Sequence, residues 1–152
     1  MNVDLKTGNT FSKSERLCSR KAIEQLFENG EKWVCYPYRV VIRQQNCDEY
    51  NEPQAAPVQI LVSASKRNFK HAVDRNRIKR QIKEAYRLHK ELLYSRIIDR
   101  LSETPQKILH IGFLYTSKNK EDWRLMEKKM IQALTEIGEK LNLNTTKTAE
   151  NE

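Results

Sequence analysis

The sequence predicts a single α+β domain, a four-stranded sheet with helices packed on it, in the order α-β-β-β-α-β-α. Three observations carry this. Runs rich in β-branched and aromatic residues recur at strand length around 32–44, 58–65 and 107–116. Stretches with an apolar residue at every third or fourth position precede, separate and follow them. The chain has 152 residues and shows no internal repeat or dividing linker, which is the size of one domain.

Residues 1–13 read as a polar, disordered arm. A helix can start from Ser14 or Ser19, because serine caps helix N-termini. Ile23, Leu26 and Phe27 share its apolar face, and Gly30 is placed to end it. In KWVCYPYRVVIRQ, Pro37 cannot donate to a ladder, so the run splits into a short strand near 32–36 and a longer one near 38–44. Alternation puts Tyr36, Tyr38, Val40 and Ile42 on one face and Arg39, Val41 and Arg43 on the other. Residues 46–56 form an acidic, proline-containing loop. VQILVSAS, 58–65, has the near-continuous apolar run of a buried strand. A second helix spans about Ala72 to Tyr94, with 95–106 either extending it or turning before Pro105. KILHIGFLYT is the last strand. Ser117 or Asn119 caps a final helix whose stripe of Trp123, Met126, Met130, Leu134, Ile137 and Leu141 runs for about five turns. The domain proper is 14–141, and the polar residues 142–152 form a disordered tail.

Lys and Arg number 28 against 20 Asp and Glu, a net charge of +8. Such an excess speaks of partners rather than fold, and nucleic acid or an anionic membrane surface are the two it suggests. Cys18, Cys35 and Cys47 are odd in number, far apart and without metal-ligand spacing. No apolar run approaches the roughly 20 residues of a membrane helix, and the N-terminus has no hydrophobic signal core. The expected protein is cytoplasmic, with no membrane partner and no metal site of its own.

The charge is concentrated in AVDRNRIKRQIKEAYR, Ala72 to Arg87, where six cations are threaded between apolar residues. At 100° per residue Ile78, Ile82, Ala85, Tyr86, His89, Leu92 and Leu93 face the sheet. Lys79, Arg80, Lys83, Arg87 and Lys90 form a stripe beside them, flanked in the first turn by Arg75 and Arg77, with Asp74 placed to cap that turn. Like charges at i,i+4 destabilise a helix by a few tenths of a kcal/mol per pair. An anionic partner relieves this, and phosphate neutralisation makes binding strongly salt-dependent. Arginine forks suit phosphate oxygens, and Asn76 between two of them can bridge phosphate or ribose. Aromatic faces beside positive charge suit single-stranded nucleic acid. Phe27, Tyr36 and Tyr38, with Lys66 and Arg67, are candidates for such a surface.

Arg75-Asn76-Arg77 followed by Lys79-Arg80, after Ser63-Ala64-Ser65-Lys66-Arg67 and Ala72-Val73, strongly resembles the protein subunit of bacterial ribonuclease P. Arg16-Leu17, Phe27-x-x-Gly30 and Tyr38 extend the resemblance, which covers about residues 14–140. The link KRNFKH departs from the family pattern by being one residue longer and lacking a glycine, and Ile23 stands where an aromatic is frequent. The resemblance implies a fold like the second domain of ribosomal protein S5, with a left-handed β-α-β crossover. It implies no catalytic side chain in the protein. The partner RNA subunit hydrolyses a phosphodiester with magnesium that it binds itself, releasing the 5′ leader of precursor tRNA. Arg75, Asn76, Arg77, Lys79, Arg80, Lys83 and Arg87 would bind ribonuclease P RNA. Phe27, Tyr36, Tyr38, Lys66 and Arg67 would bind the precursor tRNA 5′ leader, in a cleft between the first helix and the open sheet face.

Other readings fit less well. A general or ribosome-associated RNA-binding module with no role in cleavage shares the charge and the fold type. An autonomous nuclease would need clustered carboxylates or a histidine pair, whereas His71, His89 and His110 are scattered. A DNA regulator would need a helix-turn-helix partner where a strand stands. The apolar face of the basic helix is needed by the core, not by a membrane.

Overall fold

A computed structural model describes residues 13–46, 57–101 and 107–150. A 3-10 turn at Lys13–Glu15 precedes helix α1 (Arg20–Asn29), strands β1 (Glu31–Cys35), β2 (Tyr38–Asn46) and β3 (Val58–Ala64), helices α2 (Ala72–His89) and α3 (Glu91–Leu101), strand β4 (Lys107–Tyr115) and helix α4 (Trp123–Glu150). The arm expected over 1–13, apart from Lys13, and the acidic loop, apart from Asn46, lie outside the described residues, as do 102–106.

The strands form one sheet in the order β1-β2-β4-β3. β1–β2 and β2–β4 are antiparallel, while β3 and β4 are parallel and joined through α2 and α3. The alternation of β2 sorts its residues as the sequence predicts. Tyr38, Val40 and Ile42 enter the larger core with Val58, Ile60, Ile111 and Phe113. Ile78, Ile82, Tyr86, Met126, Met130, Leu134 and Ile137 close that core from α2 and α4. Val41 points to the other face, where Leu17, Ala22 and Leu26 cover it. The sheet is therefore sandwiched, α1 on one side and α2–α4 on the other.

Ser19 caps α1, its hydroxyl accepting from the Ala22 N–H at 3.3 Å. The helix ends at Gly30, which turns to extended backbone, and nothing larger fits there, a Cβ standing 2.7 Å from Val41 Cγ1. The Tyr36–Pro37 bond is cis, in the turn between β1 and β2. On the outer edge of β3, Arg16 bridges in parallel to Ile60, and the Leu17 N–H donates to the Ile60 carbonyl at 2.8 Å. This covers an edge that would otherwise expose unpaired backbone groups.

Four local expectations are corrected. The second helix does not run unbroken to Tyr94; it is interrupted at Lys90 and resumes as α3. No residue there is a helix breaker, and the interruption coincides with a distant contact. Lys90, 3% exposed, turns inward onto Glu15, its ammonium donating to both carboxylate oxygens at 2.9 and 3.0 Å. Lys90 is therefore no part of the exposed stripe. Asp74 does not cap α2 but pairs with Lys120 at 2.7 Å, which holds its carboxyl below the ordinary value. α4 is capped by neither Ser117 nor Asn119 but by Asp122, whose carboxylate accepts from the Leu125 N–H. The helix spans Trp123–Glu150.

Candidate nucleic-acid interface

α2 is held to the sheet by its apolar side, so its polar faces are fixed in direction. Val73, 75% exposed, joins Asn76, Lys79, Arg80 and Lys83 around an open concavity of about 520 Å³. Among the described residues no carboxylate pairs with Lys79, Arg80 or Lys83. Burial first, then the neighbouring charges of Arg16 and Lys79, pushes Lys83 below the ordinary lysine value. Arg16 therefore belongs to this positive face, although it comes from the segment bridged to β3. Mutual repulsion among Lys79, Arg80 and Lys83 is the arrangement an anionic ligand stabilises.

The other candidates of this helix behave differently. Arg75 donates to the carbonyls of Phe69 and Lys70 at 2.8 and 2.9 Å, fastening the link between β3 and α2. Phe69 anchors the same link, buried at 5.9 Å from the Tyr115 ring centroid. The link holds its shape without the glycine seen in the family pattern. Arg87 is engaged by Glu84, with its Nε donating to Glu84 Oε2 at 3.0 Å. Arg77 faces away from the Asn76 concavity, toward Trp123. His89 pairs with Glu127 at 2.9 Å.

The second surface lies on the opposite face of the sheet. α1 crosses above Val41 and Gly112 and leaves one end of the strands uncovered. Strand register places Val34, Arg39, Leu114 and Ser63 side by side there, on the α1 face. Val34 is 69% exposed and Arg39 is exposed, while Phe27, Leu61 and Leu114 are half-buried around the Val41 cluster. Lys66 and Arg67, both exposed, follow β3 at this same end, and Asn68 donates to the Thr116 carbonyl at 3.4 Å. An apolar floor, an aromatic flank and three cations form a groove suited to a single strand.

Two predicted members do not belong to it. Tyr38 is wholly buried on the helix side, edge-on to Phe113, its hydroxyl donating to the Met126 carbonyl at 2.8 Å. It offers no face to a ligand, because the pleat points it away from α1. Tyr36 is half-exposed, but its hydroxyl donates to Glu121 at 2.6 Å and meets Ser117 at 3.0 Å, tying the β1–β2 turn to the loop before α4. Arg39, Val34 and Leu114 take their place. The signal was in the sequence: alternation puts Arg39 and Val41 opposite Tyr38, so an open α1 face excludes the tyrosine and selects the arginine.

Among the described residues no three His, Cys, Asp or Glu side chains stand together as metal ligands, and no helix is long and apolar enough to cross a membrane.

A mixed sheet with a cationic helix on one side and a basic, aromatic-flanked groove on the other is the build of an RNA-binding protein. The profile of the family described as Ribonuclease P matches residues 11–138. A ribonuclease P protein component from Porphyromonas gingivalis is 40% identical over 127 residues, covering 84% of this chain and 85% of that one. One from Chlorobium phaeobacteroides is 32% identical over 112 residues, 74% and 75% of the two chains. The chain belongs to the ribonuclease P protein family, and so to the protein components of an endoribonuclease holoenzyme with an RNA partner. Among solved structures, the RNase P protein from Thermotoga maritima shares the fold at a TM-score of 0.57 and 17% identity, covering 80% of this chain and 96% of that one. The Staphylococcus aureus RNase P protein does so at 0.51 and 19%, with 82% and 95% covered.

Proposed function

We propose that the chain serves in the cytoplasm as the protein subunit of ribonuclease P, binding the RNA subunit with one face and the 5′ leader of precursor tRNA with the other. The observation that carries this is the separation of the two basic surfaces by the sheet. The open, shallow face of Asn76, Lys79, Arg80 and Lys83, with Arg16, is charged and suited to the phosphates of a folded RNA. The groove of Phe27, Val34, Arg39 and Leu114, with Lys66 and Arg67 at its end, is suited to an unpaired strand. Leader removal is hydrolysis of a phosphodiester on the RNA subunit, with magnesium held by that RNA. The protein's part is to hold both strands in register, which raises the effective concentration of the scissile bond at the RNA's catalytic centre.

The test is cleavage of a precursor tRNA at near-physiological magnesium, with the chain, a bacterial ribonuclease P RNA, or both. Cleavage at the mature 5′ end only with both supports the reading. Cleavage by the chain alone, or none with both, overturns it; RNA binding without cleavage leaves a general RNA-binding module. Phe27→Ala and Arg39→Ala should each weaken leader-bearing precursor several-fold and leave mature tRNA unchanged. Tyr38→Phe should leave both unchanged. Lys79→Ala or Lys83→Ala should weaken assembly with the RNA subunit and reduce its salt slope by about one.

A further inference from the structure

We propose that Trp123, with Arg77, Arg80, Gln81 and Glu84, forms a pocket for a single unstacked nucleotide of the RNA partner. This site is separate from the groove under α1 and adjoins the Asn76 concavity, with which it shares Arg80. It rests on the RNA-subunit reading above and deepens it, since it names a nucleotide-specific contact where that reading supplies only phosphate contacts.

The pocket lies between α2 and the start of α4. It is a shallow, solvent-open depression of about 450 Å³, which suits one face of a splayed-out base and does not enclose it. Along the α4 stripe Met126, Met130, Leu134, Ile137 and Leu141 are all at most 2% exposed. Trp123, the first residue of that stripe, packs against the same core yet remains half-buried and lines the pocket. Trp123 thus brings an aromatic surface to the same depression that Arg77 and Arg80 line, and aromatic faces beside arginines are the pairing that RNA readers use. Unstacked bases are held on aromatic faces or guanidinium planes and read along their edges.

The rest of the lining supplies both functions. Arg77 and Arg80 are exposed, and among the described residues neither pairs with a carboxylate. They can take the phosphate of the captured nucleotide. Both Glu84 oxygens accept from Arg87, Oε2 from Nε and Oε1 from Nη2, which keeps the carboxyl below the ordinary value and leaves each oxygen one further lone pair for a ligand donor. Gln81 offers an amide beside it. A carboxylate accepts from the amino and imino N–H groups of a base edge and repels carbonyl-only edges. The nucleotide is therefore one whose exposed edge carries N–H donors, guanine being the one that presents two to the same carboxylate.

The chain has two tryptophans, so a Trp33→Phe background makes Trp123 the single reporter. This full-length protein is titrated with a bacterial ribonuclease P RNA, with binding followed independently by filter retention. Trp123 emission should be quenched in step with binding. Trp123→Leu should weaken the complex about tenfold with its salt slope unchanged, because no charge is lost. Trp123→Phe should keep most of the affinity, and Arg77→Gln should lower the slope by about one. Unchanged Trp123 emission at saturating RNA overturns the site and leaves the subunit reading intact. So does an unaltered affinity for Trp123→Leu at a retained melting temperature. Failure of the folded protein to bind the RNA overturns the reading and the site together. Should Trp123→Leu not fold, the emission titration and Arg77→Gln decide alone.

Discussion

Substituting Glu15 by Gln should be among the most damaging conservative changes in this chain. Glu15 is 6% exposed and Lys90 3%, and the ammonium bonds both carboxylate oxygens, at 2.9 and 3.0 Å. The amide keeps the size but takes away the negative charge that Glu15 sets against the buried ammonium. Removing one partner of a buried pair costs about 3–5 kcal/mol. For a chain of this length each kcal/mol moves the melting temperature by about 2–4 °C, so a fall of about 10 °C is expected. Thermal melts followed by circular dichroism measure that fall and urea unfolding the free-energy loss, each in low salt and in 1 M salt, since a buried pair is little screened. Glu15→Met together with Lys90→Met removes both charges and should recover most of the loss, because desolvation offsets much of a buried pair's attraction. The coupling energy from that double-mutant cycle should exceed about 2 kcal/mol. A loss below about 1 kcal/mol for Glu15→Gln, or a loss abolished by salt, would show the pair to be solvated and would refute its description as a buried ion pair.

Gly30→Ala should cost about 3 kcal/mol, read from the urea midpoint, since its Cβ would strike the Leu26 carbonyl and the Val41 side chain. Gly112→Ala, 3.5 Å from Leu26 Cδ2, should be tolerated. His110 is buried beside Gln59, and burial, then the charge of Arg43, pushes it down to about 4. The unfolded chain, near 6.5, then binds the proton more tightly, so stability is full above about pH 6.5 and falls toward pH 4 by on the order of 2–3 kcal/mol. His110→Gln should flatten that slope in urea melts at pH 7 and pH 5. Arg75→Ala should cost about 2 kcal/mol and speed amide exchange across 65–71, because two carbonyls of the link lose their donor. Unchanged exchange there would return Arg75 to the RNA-facing group.

The sequence carried the elements well where the governing interactions are local. Strand ends at Cys35, Tyr38 and Ala64, the Ser19 cap and the stop at Gly30 follow from capping, proline and periodicity. The positive face of α2 was equally legible, since helical geometry alone puts Asn76, Lys79, Arg80 and Lys83 together. Local reasoning failed where a residue had two possible partners. Arg75 and Arg87 carry the right charge for RNA, but carbonyls five and six residues away and Glu84 one turn away take hold of them.

What the sequence by itself determined is the family, through Arg75-Asn76-Arg77 and its flanks, and with it the order of elements and the cationic helix. The tertiary structure decided which face of the sheet stays open. α1 lies over Val41 and not over Tyr38, so Arg39 and Leu114 line the groove while Tyr38 disappears into the core. It also decided that Lys90 turns inward to Glu15 and that Arg16 joins Lys83. A β-strand's alternation tells which residues share a face, but only packing against helices distant in the chain decides which of the two faces meets water.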